Sequence, residues 1–134
     1  MIRVVVAAAL VDVHGLVLVQ CRRNGGAHGG LWEFPGGKPE AGESLLDAVV
    51  RELAEELAIV VAPADLSPMA FSSVKLDDDD GTLVLLLYIC RRWTGDPRPL
   101  SADALRWVGA TALAALPMPP ADVPLVATVA ALLR

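Results

Sequence analysis

The chain has 134 residues, of which 54% are hydrophobic and 20% are charged, and its formal net charge is −5 at pH 7. This length predicts a single domain, residues 1–134, that is large enough to bury a hydrophobic core. An acidic chain is unsuited to sequence-independent binding of DNA or RNA, so no polymeric nucleic acid is expected as a partner. The charge is compatible with a free nucleotide, because a bound divalent cation can offset phosphate charge.

The compartment is predicted from the cysteines and the apolar segments. Cys21 and Cys90 are too few for a disulfide framework and lack the spacing of a metal site, so a cytoplasmic protein with reduced thiols is expected. The apolar run that begins at Val4 ends at Asp12, and the sequence Val4-Val5-Val6 favours a buried strand over a secretory signal. No stretch approaches the ~20 apolar residues that a membrane-spanning helix needs.

Three strands are predicted before the first helix, over residues 3–11, 16–21 and 31–34. The turn at 12–15 predicts that the first two strands pair as a hairpin, and the glycine-rich segment 24–30 is predicted as a loop. The third strand runs into the turn Pro35-Gly36-Gly37-Lys38. The glycines of this turn allow the backbone to approach a phosphate or a metal closely.

The first helix is predicted to begin at Ser44, which would cap it together with Asp47 three residues later. Apolar residues recur at helical spacing and predict a core-facing stripe of Leu46, Val49, Val50, Leu53 and Leu57. Because a helix repeats every ~3.6 residues, Glu52, Glu55 and Glu56 share another face, roughly a quarter-turn from this stripe.

The acidic face of this helix indicates a bound cation, because crowded carboxylates repel one another. Hard divalent ions such as Mg²⁺ choose oxygen ligands of this kind. Together with the glycine turn, the face predicts a metal-assisted phosphate site. The same residues, taken alone, would favour a solvated helix face with an ion pair between Arg51 and Glu55.

The second half of the chain is predicted to add strands over residues 59–61, 69–75, 82–92 and 105–108. The aspartates at 77–80 are interpreted as a charged hairpin tip and not as a metal cluster. Helices are predicted over 111–116 and 122–133, with Asp122 as the N-cap and Pro124 in the first turn of the second. Strands on both sides of a helix indicate an α+β fold or a mixed-sheet sandwich.

The acidic helix also carries a spaced pattern: Gly37, five residues, Glu43, seven residues, Arg51-Glu52-Leu53, one residue, Glu55-Glu56, one residue, Ala58-Ile59. This pattern resembles the Nudix box, with Ala58 at the position where a glycine is usual. Since alanine does not readily adopt a positive φ, the helix is expected to end about one residue away. Residues 30–38 and 119–125 are similar to the MutT branch of the family and to related CTP pyrophosphohydrolases.

The resemblance implies a Nudix α/β/α sandwich, with a mixed β-sheet between helices. It also implies Mg²⁺-dependent cleavage of a nucleoside diphosphate linked to another group, with Mn²⁺ as an alternative cation. Glu52, Glu55 and Glu56 would bind the metal and act in catalysis. Arg51 would orient a metal-bound glutamate, and Gly36 would supply a backbone carbonyl to the metal.

Substrate contacts are implied for Arg22, His28, Phe34, Gly36, Lys38 and Asp122. Phe34 would border the base or serve as a core aromatic, and Lys38 would contact a phosphate oxygen or remain an exposed lysine. Asp122 stands where MutT-like enzymes typically have asparagine. An ionised aspartate only accepts hydrogen bonds, and it could accept from N7–H of 8-oxoguanine or from the 4-amino group of cytosine.

The expected function is a nucleoside triphosphate pyrophosphohydrolase that releases a nucleoside monophosphate and pyrophosphate. The first choice of substrate is 8-oxo-dGTP, and CTP or dCTP is the alternative. Ser101 stands where MutT-like enzymes often carry a glutamate, so either Asp103 replaces that group or the helix glutamates alone provide the base. A non-catalytic, nucleotide-sensing domain is the alternative of another class. The protein is expected to act as a monomer or a dimer.

Overall fold

The computed structural model describes residues 1–24, 26, 28–77 and 81–133. Its elements in chain order are β1 (Ile2–Leu10), β2 (Val17–Cys21), β3 (Trp32–Glu33), β4 (Gly36–Gly37), α1 (Leu45–Leu57), β5 (Leu66–Lys75), β6 (Thr82–Cys90), β7 (Ala104–Val108), α2 (Ala110–Ala115) and α3 (Val126–Ala130). Short 3₁₀ turns cover Pro63–Asp65 and Val123–Leu125. Asp78 to Asp80, in the predicted hairpin tip, lie outside the described residues.

The strands form two sheets. A four-stranded mixed sheet has the order β4-β1-β6-β5, in which β1 runs parallel to β6 and the other pairs are antiparallel. A three-stranded antiparallel sheet has the order β3-β2-β7. No helix in the described part of the chain is long and apolar enough to cross a membrane.

Strand β1 separates two hydrophobic cores, because successive side chains of a strand point to opposite faces. Val6, Ala8 and Leu10 pack in the core that contains the buried stripe of α1. Ala7, Ala9 and Val11 pack in the second core, beside Leu113 of α2 and Val129 of α3. The helices therefore cover both faces, and the predicted α/β/α sandwich with a mixed sheet is confirmed.

The predicted hairpin of the first two strands is wrong. The Asp12 carboxylate accepts from the N–H groups of His14 and Leu16, both at 2.9 Å, and so forms the expected turn. Beyond the single bridge between Val11 and Val17, however, β1 and β2 belong to different sheets. The physical reason is that both faces of β1 are apolar, so the strand takes a central place between β4 and β6.

Helix α1 begins as predicted but ends differently. The Ser44 hydroxyl accepts from the Asp47 N–H at 3.1 Å, which confirms the N-cap. Ala58 adopts the left-handed conformation, with φ 60°, and its N–H donates to the Ala54 carbonyl at 3.1 Å. The expected shift of the helix end is therefore wrong. The left-handed backbone costs roughly 1–2 kcal/mol, and the flanking Leu57 and Ile59, both fully buried, hold it in place.

Two further predicted elements differ from the structure. Residues 59–61 form only the bridge between Val60 and Thr94, although Ile59 and Val61 are buried and Val60 is exposed. The predicted helix 122–133 is a 3₁₀ turn followed by the short α3. Asp122 caps neither, because its carboxylate accepts from the Phe34 N–H instead. The remaining elements agree with their predicted ranges to within three residues.

Candidate active site

A cavity of about 500 Å³ opens beside β1 and β4. The predicted site residues that line it are Arg22, His28, Phe34, Gly36, Lys38, Glu56 and Asp122. Arg51, Glu52 and Glu55 lie outside its lining. The walls also include residues at the ends of β5 and β6 and the segment Pro119–Asp122, so the cavity joins parts of the chain that are far apart in sequence.

Glu56 is held at one end of the cavity by two donors. Its Oε2 accepts from the Gln20 Nε2 at 3.1 Å and from the Gly36 N–H at 3.1 Å. Burial raises the pKa of Glu56 to about 7, and the charges of Glu52 and Glu33 act in the same direction. The two hydrogen bonds oppose this shift, because they favour the ionised carboxylate.

Arg51 is the centre of an ion-pair network on the same helix. Its Nε and Nη2 bind both oxygens of Glu43, at 2.8 and 3.0 Å. Its Nη1 donates to Glu52 at 2.9 Å and to Glu55 at 3.2 Å, and Nη2 also donates to the Lys38 carbonyl at 2.9 Å. The hydrogen bond with Glu43 raises the pKa of Arg51 and lowers the pKa of Glu43. The guanidinium thus ties the glycine turn to the acidic face.

The predicted metal ligands do not converge on one point. Within residues 1–77 and 81–133, apart from 25 and 27, no three His, Cys, Asp or Glu side chains stand close enough to share a metal ion. Glu52 and Glu55 are turned toward Arg51, and Glu56 toward Gln20 and Gly36.

The glycines of β4 nevertheless make room for the acidic face. The Glu52 carboxylate occupies the space that a Cβ on residue 37 would take, and Glu56 accepts from the N–H of Gly36. Two carboxylates therefore lie against the glycine backbone of β4, and both supply oxygen atoms. This donor set fits a hard divalent cation.

The other end of the cavity is formed by Phe34 and Asp122. Both are buried, and the Phe34 N–H donates to Asp122 Oδ2 at 3.0 Å. Burial raises the pKa of Asp122 to about 7, while the Phe34 N–H opposes this shift. Arg22 pairs with Glu33 beside them, through Nε and Oε1 at 2.7 Å. His28, with φ 59°, also lines the cavity.

Sequence reasoning missed two residues of the site. Gln20 and Glu33 are paired across β2 and β3, and Gln20 donates to Glu33 at 3.4 Å as well as to Glu56. The sequence offered one indication of Gln20, which is the single amide side chain within the apolar strand predicted over residues 16–21. Asp103, the alternative to the helix glutamates as general base, does not line the cavity, and its N–H donates to the Cys21 carbonyl. Ser101 does not line the cavity either.

The fold agrees with comparisons to known proteins. Residues 1–129 match the model of the NUDIX domain, and the chain belongs to the Nudix family. It is a Nudix pyrophosphohydrolase with MutT-like relatives. A Mycobacterium tuberculosis protein named putative 8-oxo-dGTP diphosphatase 2 is 39% identical over 121 residues, which cover 90% of this chain and 82% of that protein.

Two further relatives are informative. The CTP pyrophosphohydrolase of Escherichia coli is 32% identical over 120 residues, 90% of this chain and 86% of that protein. A solved MutT structure, from work on the Aliivibrio salmonicida and Vibrio cholerae proteins, superposes with a TM-score of 0.81 at 30% identity. The superposition covers 98% of both chains. The fold is therefore that of MutT, whereas the named relatives differ in substrate.

The two glycines of β4 are expected to respond differently to substitution by alanine. In Gly36→Ala the new methyl group would overlap the backbone of Val6 and Ala7 in the central strand β1. We expect a loss of at least ~1–3 kcal/mol in the free energy of unfolding. In Gly37→Ala the methyl meets only the Glu52 carboxylate, the end of a flexible side chain. Thermal unfolding should show a clear fall in Tm for Gly36→Ala and a smaller one for Gly37→Ala. Equal Tm values would contradict this.

Proposed function

We propose that the protein is a Mg²⁺-dependent nucleoside triphosphate pyrophosphohydrolase whose preferred substrate is 8-oxo-dGTP. The observation that carries the proposal is that one cavity joins Glu56, beside the glycines of β4, to the buried pair of Phe34 and Asp122. Such an enzyme would remove oxidised precursors from the cytoplasmic nucleotide pool, as a monomer or a dimer.

The phosphate end of the proposed site is the acidic face of α1. Glu52, Glu55, Glu56 and the Gly36 carbonyl would hold Mg²⁺, or Mn²⁺ in its place. When bound, the cation lowers the pKa of the attacking water and offsets phosphate charge in the transition state. Arg51 keeps Glu52 and Glu55 oriented through its hydrogen bonds to both. Lys38 lies on the cavity wall, where its ammonium can reach a phosphate oxygen.

The chemical step is attack of water on the substituted phosphorus. The bond between this phosphorus and the bridging oxygen breaks, so that the products are a nucleoside monophosphate and pyrophosphate. One of the three α1 glutamates accepts the proton of the attacking water. Glu56 suits this role best, because it alone among them lines the cavity.

The base end of the proposed site is Phe34 and Asp122. The Phe34 side chain borders the base, and Asp122 reads its edge. Since the Phe34 N–H donates to Asp122 Oδ2, the other oxygen, Oδ1, would accept from the nucleobase. Arg22 and His28 also line the cavity and would contact the nucleotide.

Discrimination of the oxidised base is expected to depend on pH, because Asp122 has a pKa of about 7. Above pH 7 the carboxylate accepts from N7–H of 8-oxoguanine, whereas N7 of guanine has no hydrogen to donate. Below pH 7 the carboxylic acid can donate to N7 of guanine. The ratio of kcat/KM for 8-oxo-dGTP to that for dGTP should therefore rise about tenfold between pH 6 and pH 8.

Asp122→Asn is the matched control for this dependence, since an amide does not ionise in this range and its ratio should stay flat. The two substrates carry the same triphosphate, so titration of Glu56 cancels in the ratio. A wild-type ratio that does not change with pH would show that Asp122 does not contact N7.

The experiment that tests the proposed function is a comparison of kcat/KM for 8-oxo-dGTP, dGTP, CTP and dCTP with Mg²⁺ and with excess chelator. We expect 8-oxo-dGTP to be the best substrate and activity to be lost with the chelator. A preference for CTP or dCTP would favour the second candidate, a CTP pyrophosphohydrolase. Asp122 supports that candidate, because a carboxylate is a natural partner of the cytosine amino group.

A non-catalytic, nucleotide-sensing domain is the remaining alternative. It would be expected to have lost at least one of Glu52, Glu55 and Glu56, and this chain retains all three. Absence of Mg²⁺-dependent pyrophosphate release across a broad panel of nucleotides would favour it.

A further inference from the structure

Gln20 is a polar residue in an otherwise apolar and buried strand. It lies on β2 after Val17, Leu18 and Val19, and only 2% of it is exposed. Burying an amide is costly unless its groups are hydrogen-bonded, by ~1–3 kcal/mol on the scale of protein mutational data. An apolar residue of similar size would satisfy packing at this position, so the amide calls for a role of its own.

The two hydrogens of the Gln20 amide point to two carboxylates. Nε2 donates to Glu56 Oε2 at 3.1 Å and to Glu33 Oε2 at 3.4 Å. The reverse orientation of the amide would place Oε1 against both carboxylates, so these contacts fix the orientation. The amide thus bridges the two carboxylates of Glu56 and Glu33.

This orientation leaves an acceptor without a partner. Among the described residues, Gln20 Oε1 is the buried side-chain polar atom that accepts no hydrogen bond. An unsatisfied buried group of this kind costs about 1–3 kcal/mol. The unpaired Oε1 is therefore the free-energy cost of an orientation in which both amide hydrogens bind carboxylates, those of Glu56 and Glu33.

We propose that Gln20 is a positioning residue for the reaction: together with the Gly36 N–H, it fixes Oε2 of Glu56, so that Oε1 is the oxygen presented to the cavity. The same nitrogen also reaches Glu33, which pairs with Arg22 at the base end. Gln20 therefore connects Glu56, at the phosphate end of the proposed site, to the ion pair of Arg22 and Glu33, at the nucleobase end. This inference rests on the proposed function, in which Glu56 is catalytic.

Gln20→Met tests the inference, because methionine keeps the length of the side chain and removes both donors. Loss of a group that orients a metal-site carboxylate typically costs 10–100-fold. We expect kcat to fall at least about tenfold, with KM for the nucleotide changed less than about threefold. Mn²⁺ binding to the substrate-free protein, followed by electron paramagnetic resonance, should weaken about tenfold. Leu18→Met, on the same face of β2, is the matched control and should leave both quantities unchanged.

A double-mutant cycle separates positioning from packing. If Gln20 acts through Glu56, Gln20→Met should change kcat less than about twofold in the Glu56→Gln background. Equal fold losses in both backgrounds, or an unchanged kcat and Mn²⁺ affinity, would overturn the inference. If Gln20→Met does not fold, Gln20→Leu takes its place, and failure of both to fold would make Gln20 a structural residue only.

The outcomes distinguish this inference from the proposed function. If the wild type hydrolyses no nucleotide, the proposed function fails, while the Mn²⁺ affinities of Gln20→Met and Leu18→Met still decide whether Gln20 positions Glu56. If the wild type is active and Gln20→Met equals it in kcat and in Mn²⁺ affinity, only the inference about Gln20 fails.

Discussion

Glu56→Gln is expected to lower kcat at least about 100-fold, as loss of one electrostatic group that acts in the transition state does. Glu56 is the α1 glutamate that lines the cavity, and its Oε2 is fixed by Gln20 and Gly36. The amide keeps the shape of the side chain but cannot accept a proton from water or bind a cation as tightly. The measurement is kcat at saturating nucleotide and Mg²⁺.

Asp47→Asn is the matched control for Glu56→Gln. It makes the same change of charge on an exposed residue of α1, and kcat should stay within about twofold of the wild type.

Thermal unfolding of Glu56→Gln without metal at pH 8 checks that this variant is folded. Because the folded-state pKa of Glu56 is raised to about 7, the ionised carboxylate costs stability above that pH, and the amide avoids this cost. The variant should therefore be at least as stable as the wild type. A kcat of Glu56→Gln close to that of the wild type would show that Glu56 is not a catalytic residue.

Arg51→Lys is expected to lower kcat about 10–100-fold, the usual effect of losing a group that orients metal-binding carboxylates. A single ammonium cannot reproduce the planar fork that binds Glu43, Glu52, Glu55 and the Lys38 carbonyl together. The Mg²⁺ concentration for half-maximal activity should rise as well, because Glu52 and Glu55 lose their common support.

Arg91→Lys, at an exposed position beyond β6, is the control for this change and should leave kcat unaltered. The alternative for Arg51 is an ordinary surface ion pair, which contributes only ~0–1 kcal/mol. A kcat for Arg51→Lys within about twofold of the wild type would support that alternative and reject the positioning role.

The parts of the fold and site that were predictable are those that depend on neighbours along the chain. The period of the apolar residues placed the buried stripe and the acidic face of α1, and Ser44 and Asp47 marked its first turn. The pattern from Gly37 to Ile59 led to the family, and the family to the sandwich. These features arise from contacts within a few residues, which a sequence displays directly.

The rest depends on contacts between distant segments. Asp122 has every local property of an N-cap, but its carboxylate is taken by the N–H of Phe34, 88 residues earlier. The turn at Asp12 is local and was predicted, whereas the separation of β1 and β2 into different sheets follows from the apolar faces of β1. Ala58 adopts a conformation that alanine disfavours because the burial of Leu57 and Ile59 outweighs the strain. Gln20 had no local partner that could reveal its contact with Glu56.

The parallel pairing of β1 with β6 has a consequence for biosynthesis. Strand β1 is an apolar segment that leaves the ribosome well before its parallel partner β6, which begins only at Thr82. Until then its ladder with β6 cannot form, and unpaired apolar strands are the segments most prone to self-association in a nascent chain. Residues 119–122, which form part of the cavity wall, leave the ribosome later still. Because the chain is synthesised from its N-terminus, the walls of this cavity are complete only after residues 119–122 have been made.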